Sequence, residues 1–404
     1  MSFLLFYVIW VSVVGLGYGY VGRRLIKPSK LKGMKRAFAW GTVVALFLMP
    51  QALFLSFFSR TESFWTDVLS WPAYISLGLF SLVLVLVVLR DIVLGGKAVV
   101  QRVKTFLDKI RKVPPVMADG SDMERRRFLV HSTNFGIISL SGALAGYGFH
   151  EAHHRAAEIE EITVPISNLP KEFEGFRIVQ FTDIHVGPTI KRKFVERVVA
   201  QVGNLHADLL AFTGDLVDGS VPWLRDEVAP LKDLVAPYGK FFITGNHEYY
   251  SGAGPWIEEA GRLGFTVLLN EHRVIQRNSA RIVLAGVTDY SAGDFIKSQV
   301  SDPAAAIARA PVGLARILLA HQPKSIFAAA RAGYVLQLSG HTHGGQFFPW
   351  DYLGRLNQPY IKGLHKHDNT WIYVSRGTGY WGPPLRLGIP PEITVIRLTA
   401  QPLR

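Results

Sequence analysis

Gly340-His341-Thr342-His343-Gly344-Gly345-Gln346 decides how the second half of this chain folds. Two imidazoles one residue apart, flanked by glycines, make poor core packing. They suit a divalent cation, because imidazole nitrogen is a good ligand for such ions. The stretch follows Tyr334–Leu338, a short β-branched and aromatic run that reads as a strand. Working backward, the same arrangement recurs four times. Asp183-Ile184-His185 follows Arg177–Phe181, and Gly214-Asp215-Leu216-Val217-Asp218 follows Leu209–Phe212. Gly245-Asn246-His247-Glu248 closes the run Lys240–Ile243, and His321-Gln322-Pro323 closes Ile317–Leu319. Further strands are read at Arg281–Ala285, Trp371–Val374 and Glu392–Leu398, with helices at Lys193–Val202 and Pro255–Leu263. Short strands interleaved with helices predict a layered α/β domain. Polar clusters at five strand ends can converge on one edge of a sheet, where ligands of such folds bind.

Imidazole, carboxylate and amide oxygen, with no sulfur, form a donor set for hard or borderline divalent metals. The chain has no cysteine at all, which excludes disulfides and thiolate metal sites. Glycine beside Asp215 and beside Asn246 lets the backbone turn closely enough for those side chains to reach inward. Two ions about 3.5–4 Å apart can clamp a phosphate, generate hydroxide near neutral pH and offset charge on a leaving oxygen. Asp-x-His alone, or Gly-Asp alone, is an ordinary turn. Their weight comes from standing in this order with Gly-Asn-His-Glu and Gly-His-x-His.

The run Asp183-x-His185, Gly214-Asp215-x-x-Asp218, Gly245-Asn246-His247-Glu248, His321 and Gly340-His341-x-His343 resembles the calcineurin-like metallophosphoesterase signature. The resemblance spans roughly residues 160–404. Within that family the chain is similar to a membrane-anchored prokaryotic phosphodiesterase branch with UDP-2,3-diacylglucosamine pyrophosphatase-like members. Leu269-Asn270-Glu271 and the tail Gly379 to Glu392, with Pro383-Pro384-Leu385-Arg386, support this. The resemblance implies a four-layer α/β/β/α sandwich and two divalent ions (Mn, Zn or Fe). It implies that Asp183, His185 and His343 hold the first metal and that Asp215 bridges. Asn246, His321 and His341 would hold the second. His247 would face the phosphate as proton donor or electrostatic partner, with Asp218 and Glu248 orienting metal-bound imidazoles. Lys324 stands where the branch often carries an acid, which leaves the contacts there open.

Other residues carry weaker signals. Arg386 is a weak candidate for a phosphate contact, because guanidinium pairs bidentately with such groups; a salt bridge or exposed charge is the alternative. Asp289, after Gly286-Val287-Thr288, is either a site residue or a turn former. His206 and His272 read as structural or solvent-facing, and His150, His153 and His154 as an interfacial linker.

Outward from the hydrolase, the first ~150 residues are rich in Leu, Val, Phe and Gly. Four apolar stretches approach the ~20 residues that a membrane-spanning helix needs. They run from about Phe3 to Tyr20, Ala37 to Phe58, Trp71 to Leu89 and Phe128 to Phe149. The apolar character surrounds the first three instead of forming one stripe, which argues against soluble core helices. Residues 1–127 thus read as an all-α membrane region, 128–159 as a fourth span plus linker, and 160–404 as the hydrolase. Arg23, Arg24, Lys27, Lys30, Lys32, Lys35 and Arg36 lie between spans one and two. Lys97, Arg102, Lys104, Lys109, Arg111, Lys112 and Arg125–Arg127 lie between three and four, whereas Arg60 stands beside Glu62 and Asp67 between two and three. By the positive-inside rule the first and third connectors are cytoplasmic, and the hydrolase is extracytoplasmic. Glu124-Arg125-Arg126-Arg127-Phe128-Leu129 resembles a twin-arginine export signal, which would make the twin-arginine translocase a partner; a retained anchor is the alternative.

The net charge of +13 is carried largely by these flanks, and no basic–aromatic module predicts nucleic-acid binding. The expectation is a multi-pass, membrane-anchored phosphoesterase acting on a phosphodiester or phosphomonoester. A lipid-linked phosphate or diphosphate is its specific version, motivated by the tether and by Phe347-Phe348-Pro349-Trp350. A UDP-2,3-diacylglucosamine pyrophosphatase-like hydrolase and a non-catalytic sensor of a phosphorylated ligand are the alternatives.

Overall fold

Residues 3–59, 61–111 and 121–401 are described by a computed structural model. Arg60 and Lys112, two charges used for orientation above, lie outside them. The chain divides into two compact units, one of residues 1–55 and 69–147, the other of residues 56–68 and 148–404.

The first unit is helical: α1 (Phe3–Ile26), α2 (Gly33–Phe58), α3 (Phe64–Ile110) and α4 (Ser121–His153) contribute to it. Among the described residues three segments, Gly33–Ser56, Phe64–Ile110 and Phe128–His153, are long and apolar enough to cross a membrane; the first expected span, Phe3 to Tyr20, lies in α1 and is not one of them. Val21, Val83, Val87 and Ile137 pack α1, α3 and α4 together, and Tyr18 stacks on Phe80. The third predicted span continues without a break to Ile110, so Lys97, Arg102, Lys104 and Lys109 ride on the same helix. Only the Gly95-Gly96 pair interrupts that stretch, and at about 1 kcal/mol for each Gly in a helix interior it does not end the helix.

The second unit is built on strands β1 (Glu158–Pro165), β2 (Arg177–Phe181), β3 (Leu209–Phe212), β4 (Lys240–Phe242), β5 (Thr266–Val267) and β6 (Glu271–Arg277). It continues with β7 (Ala280–Gly286), β8 (Arg316–Leu319), β9 (Leu336–Ser339), β10 (Gly363–His367), β11 (Thr370–Val374) and β12 (Glu392–Thr399). They form two six-stranded sheets, ordered β1-β12-β2-β3-β4-β5 and β10-β11-β9-β8-β7-β6. Strands β2 to β5 run parallel to one another, as do β7, β8, β9 and β11. The antiparallel pairs are β12 with β2, β6 with β7 and β10 with β11. Strand β1 pairs with the whole of β12, so the sheet begins at Glu158.

The facing sheets bury Ile178, Leu209, Phe241 and Ile396 against Leu284, Ile317, Leu336 and Tyr373. On the outer side of the first sheet, α5 (Arg192–Gly203) buries Val195 and Val198. There α6 (Val221–Val228) buries Leu224, and Trp256 projects from a third helix at Ala253–Arg262. The outer side of the second sheet is covered through Ala306 and Ala329. Four layers result, α/β/β/α, as predicted.

The connector 56–68 belongs to this unit. Ser220 N–H donates to Glu62 Oε1 at 2.6 Å, and the Ser220 hydroxyl also bonds the Glu62 carboxylate. Lys191 Nζ pairs with Asp67 at 2.8 Å.

Candidate metal centre

The five predicted clusters do meet. Parallel strands β2, β3 and β4 of one sheet and β8 and β9 of the other deliver their C-terminal loops to a common edge. Gln180 Nε2 fastens the sheets there, donating to Thr213 Oγ1 at 2.9 Å and to the Ser339 carbonyl at 3.0 Å.

Asp183, His185 and His343 form one group whose ligand atoms all lie within 4.8 Å of one another. Asp215, His321 and His341 form a second, and Asp215 also groups with His185 and His247. Asp215 Oδ2 is 3.0 Å from His321 Nε2 and 3.8 Å from His185 Nε2, so its carboxylate stands between the two groups. Two pairs of imidazole nitrogens face each other: His185 Nε2 and His343 Nε2 at 3.0 Å, His341 Nδ1 and His321 Nε2 at 3.3 Å. His321 Nδ1 donates to the Thr213 carbonyl at 2.7 Å, so Nε2 is the nitrogen turned toward Asp215; burial opposes a charged ring but Asp215 outweighs it and raises the pKa, so a metal bound at Nε2 would take the place of a proton. Asn246 Oδ1 is buried without a hydrogen-bond partner, one residue before His247, whose N–H donates to Asp215. A buried carbonyl oxygen without a donor is costly unless something else fills the place.

The backbone pays attention to these positions. Asp183, His185, Asp215, His341 and His343 have φ of 54°, 56°, 56°, 73° and 51°, a left-handed conformation that non-glycine residues rarely adopt. Two glycines make room for the carboxylates: a Cβ on Gly340 would lie 2.1 Å from Asp183 Oδ2, and one on Gly245 2.1 Å from Asp215 Oδ1. The His341 N–H donates to Asp183 at 2.9 Å, and the His247 N–H to Asp215 Oδ1 at 2.9 Å.

Electrostatics fit a cation. Asp183 and Asp215 are buried, and among the described residues neither pairs with Lys or Arg. Uncompensated buried carboxylates are expensive. Burial, helped by Asp215, pushes the Asp183 carboxyl up, whereas the charges of His321 and His247 overcome burial to hold Asp215 well down. Burial and neighbouring His321 lower His341 to about 3, and burial and His185 lower His343, so both rings favour the neutral, metal-binding form. The donor set therefore fits divalent metal.

His247 stands apart in role. Its Nδ1 bonds Asp218 Oδ1, and Asp218 Oδ2 lies 3.2 Å from His185 Nδ1. Burial opposes a charged His247, but Asp218 and Asp215 outweigh it and raise the pKa to about 9. Glu248 accepts from the N–H groups of Asp215, Leu216 and Gly245 at 3.0, 2.7 and 2.6 Å, bracing two ligand loops. Burial and Asp215 push its carboxyl up to about 8 against those donors.

Arg386 is 1% exposed, so the expected phosphate contact does not fit its place. It donates to the carbonyls of Arg376 and His343 at 2.8 and 3.2 Å, and Nη2 reaches His343 Nδ1 at 3.2 Å. It holds His343 from behind. Asp289 is likewise committed: its Oδ1 accepts from Ser291, and both oxygens accept from Gln322 Nε2 at 3.1 Å, steadying the residue after His321. Lys324 lies over the Tyr290 ring at 4.8 Å. His206 is exposed, His272 Nδ1 bonds the Ala306 carbonyl, and His150, His153 and His154 contact one another away from these groups. Sequence reading missed the rings around His247: Tyr250 at 5.0 Å, which the i,i+3 spacing on the helix Asn246–Ser251 could have marked, and Trp381 at 5.4 Å, which no spacing marks.

A two-sheet sandwich with Asp and His side chains at the strand ends that could hold a metal fits a metal-dependent hydrolase, and comparison with known proteins agrees. The calcineurin-like phosphoesterase family matches residues 176–345. A "transmembrane protein with metallophosphoesterase domain" of Danio rerio is 32% identical over 403 residues, covering 96% of this chain and 87% of its own. An uncharacterized metallophosphoesterase of Campylobacter jejuni is 32% identical over 412 residues, covering 98% and 99%. One of Helicobacter pylori is 39% identical over 270 residues, covering 66% and 70%. The chain belongs to the calcineurin-like phosphoesterase family and is a membrane-associated metallophosphoesterase.

Proposed function

We propose that this protein hydrolyses a phosphoester at a centre for two divalent ions, on a substrate with a lipid-linked phosphate or diphosphate. The observation that carries the reading is the position of Asp215, whose carboxylate is shared between the Asp183–His185–His343 and His321–His341 groups. Asn246 Oδ1 would complete the second group. Metal ions, when bound, supply positive charge to phosphate oxygens and lower the pKa of an attacking water.

The chain's own residues do the rest. Asp183 and Asp215 offset the ionic charge, and Glu248 and Arg386 fix the loops that present the ligands. His247, bonded through Nδ1 to Asp218, has Nε2 left for the leaving oxygen. As a water oxygen bonds to phosphorus and the bond to the leaving alcohol breaks, Nε2 gives that alcohol its proton, and the water's proton is released to solvent. Asp218 keeps the ring charged until then, a role worth typically about 10²–10⁴-fold for a positioned acid.

Membrane anchoring and the exposed side chains Phe348, Trp350 and Tyr352 support a substrate met at the lipid surface. Connector 56–68 packs with the hydrolase, which supports the extracytoplasmic placement of both under the charge rule. The test is a panel of phosphomonoesters, phosphodiesters and lipid diphosphates with the detergent-solubilised protein, comparing wild type with His247→Ala. Turnover that falls by about 10²–10⁴-fold with metal content retained is expected. The loss should shrink for nitrophenyl esters, whose leaving group needs no proton. No turnover of any phosphoester by a metal-loaded wild type would favour a binding role instead.

A further inference from the structure

We infer that Trp381, with Tyr250 and Phe295, forms a subsite for an apolar leaving group. This rests on the phosphoesterase reading, because it follows from what His247 protonates. With His247 Nδ1 engaged by Asp218, Nε2 is the nitrogen that meets the leaving oxygen. The substituent on that oxygen must therefore emerge among the neighbours of the His247 ring. One of those neighbours, His185 at 4.6 Å, belongs to the proposed metal group; the others are Trp381 at 5.4 Å and 71° and Tyr250 at 5.0 Å and 64°. Phe295 extends the surface, 5.5 Å from Tyr250.

Two features mark Trp381 as built for contact. Trp381 is 51% exposed although its ring borders that of the buried His247, so part of the residue is left open to an incoming group. Its backbone is clamped at both ends by a single side chain: the Trp381 N–H donates to Gln346 Oε1 at 2.6 Å, and Gln346 Nε2 donates to the Trp381 carbonyl at 3.0 Å. Gln346 is itself 7% exposed and follows directly on His343-Gly344-Gly345, so the indole is referenced to the metal-ligand loop. A rigid ring with few torsions gives contact at little entropic cost. Phe295 is also 51% exposed, which leaves a second open ring on the far side of Tyr250. The occupant is the hydrocarbon or ring-bearing alcohol of the ester; a small polar alcohol would leave these faces uncovered.

The experiment compares phosphate esters of 2-phenylethanol and ethanol, alcohols that make similar demands on His247 as proton donor. Wild type should prefer the phenylethyl ester in kcat/KM. In Trp381→Ala that preference should fall about two- to tenfold, the range expected for loss of an aromatic pair, with metal content unchanged. Trp381→Phe should keep most of it. A preference that is the same in Trp381→Ala as in wild type, including an equal loss on both esters, overturns the subsite. Calorimetric binding of 2-phenylethylphosphonate and ethylphosphonate separates this failure from failure of the phosphoesterase reading. Trp381-dependent selectivity in binding without turnover of either ester would sustain the subsite and sink the enzyme. Absence of that selectivity would sink the subsite.

Discussion

Gly340→Ala should strip the first metal group of a ligand without touching any ligand residue. A Cβ at this position would lie 2.1 Å from Asp183 Oδ2, 2.5 Å from Thr182 Oγ1 and 2.9 Å from Thr182 Cγ2. An ordinary contact is about 3.5 Å, so the overlap with the carboxylate is about 1.4 Å. All three atoms are side-chain atoms, so relief comes from turning Asp183 away, not from moving the strand. That turn breaks the bonds from the His341 N–H and the Thr182 hydroxyl, at 2.9 and 2.7 Å. Overpacking and a lost hydrogen bond to a charged group together cost about 2–4 kcal/mol. For a domain of this size that corresponds to a fall in Tm of about 4–16 °C. Metal analysis and thermal scans of the purified protein check both effects. Gly261→Ala is the control, because nothing lies within 4 Å of its Cβ and it sits in a helix, where alanine is favoured. A Gly340→Ala protein with wild-type metal content and wild-type Tm would refute the reasoning.

Asp218→Asn removes the nearest negative charge that raises His247 to about 9, so the protonated ring should be lost at lower pH. The basic limb of the kcat profile should move down in pH; superimposable profiles would remove Asp218 from this role. Glu62→Ala deletes the acceptor for two Ser220 donors and should destabilise the hydrolase by about 1–2 kcal/mol, read as a lower Tm, whereas an unchanged Tm would mean that the connector contributes no docking energy. A reporter fused to the hydrolase should register outside the cytoplasm, and Arg125→Lys with Arg126→Lys should block its export if the twin-arginine translocase carries it. Normal export of that double variant would leave the anchor alone.

The site was legible because its residue types are poor building material for a core. Gly-Asn-His-Glu and Gly-His-x-His interrupt apolar strands at the point where those strands end, and five such interruptions point to one edge. The strands that escaped reading lack such contrast. Thr266–Val267 is only two residues long, and Glu158–Pro165 alternates acids with apolar residues in an edge strand that resembles a charged linker. Arg386 was misplaced because a sequence does not say whether a guanidinium meets phosphate or backbone carbonyls; four carbonyls between Arg376 and Ile389, and that of His343, claim it. Trp381 is brought to His247 by a loop far from it in sequence, which no local pattern records, whereas Tyr250 stands at i+3 from His247 on the same short helix.

The most direct measurement is the metal stoichiometry of the purified protein, wild type against Asp215→Asn. The shared carboxylate supplies the negative charge that lets two cations sit close together. Wild type should hold two divalent ions per chain, and Asp215→Asn should lose at least one along with activity. One ion or none in a fully active wild type, or two ions retained by Asp215→Asn, would contradict the bridged centre.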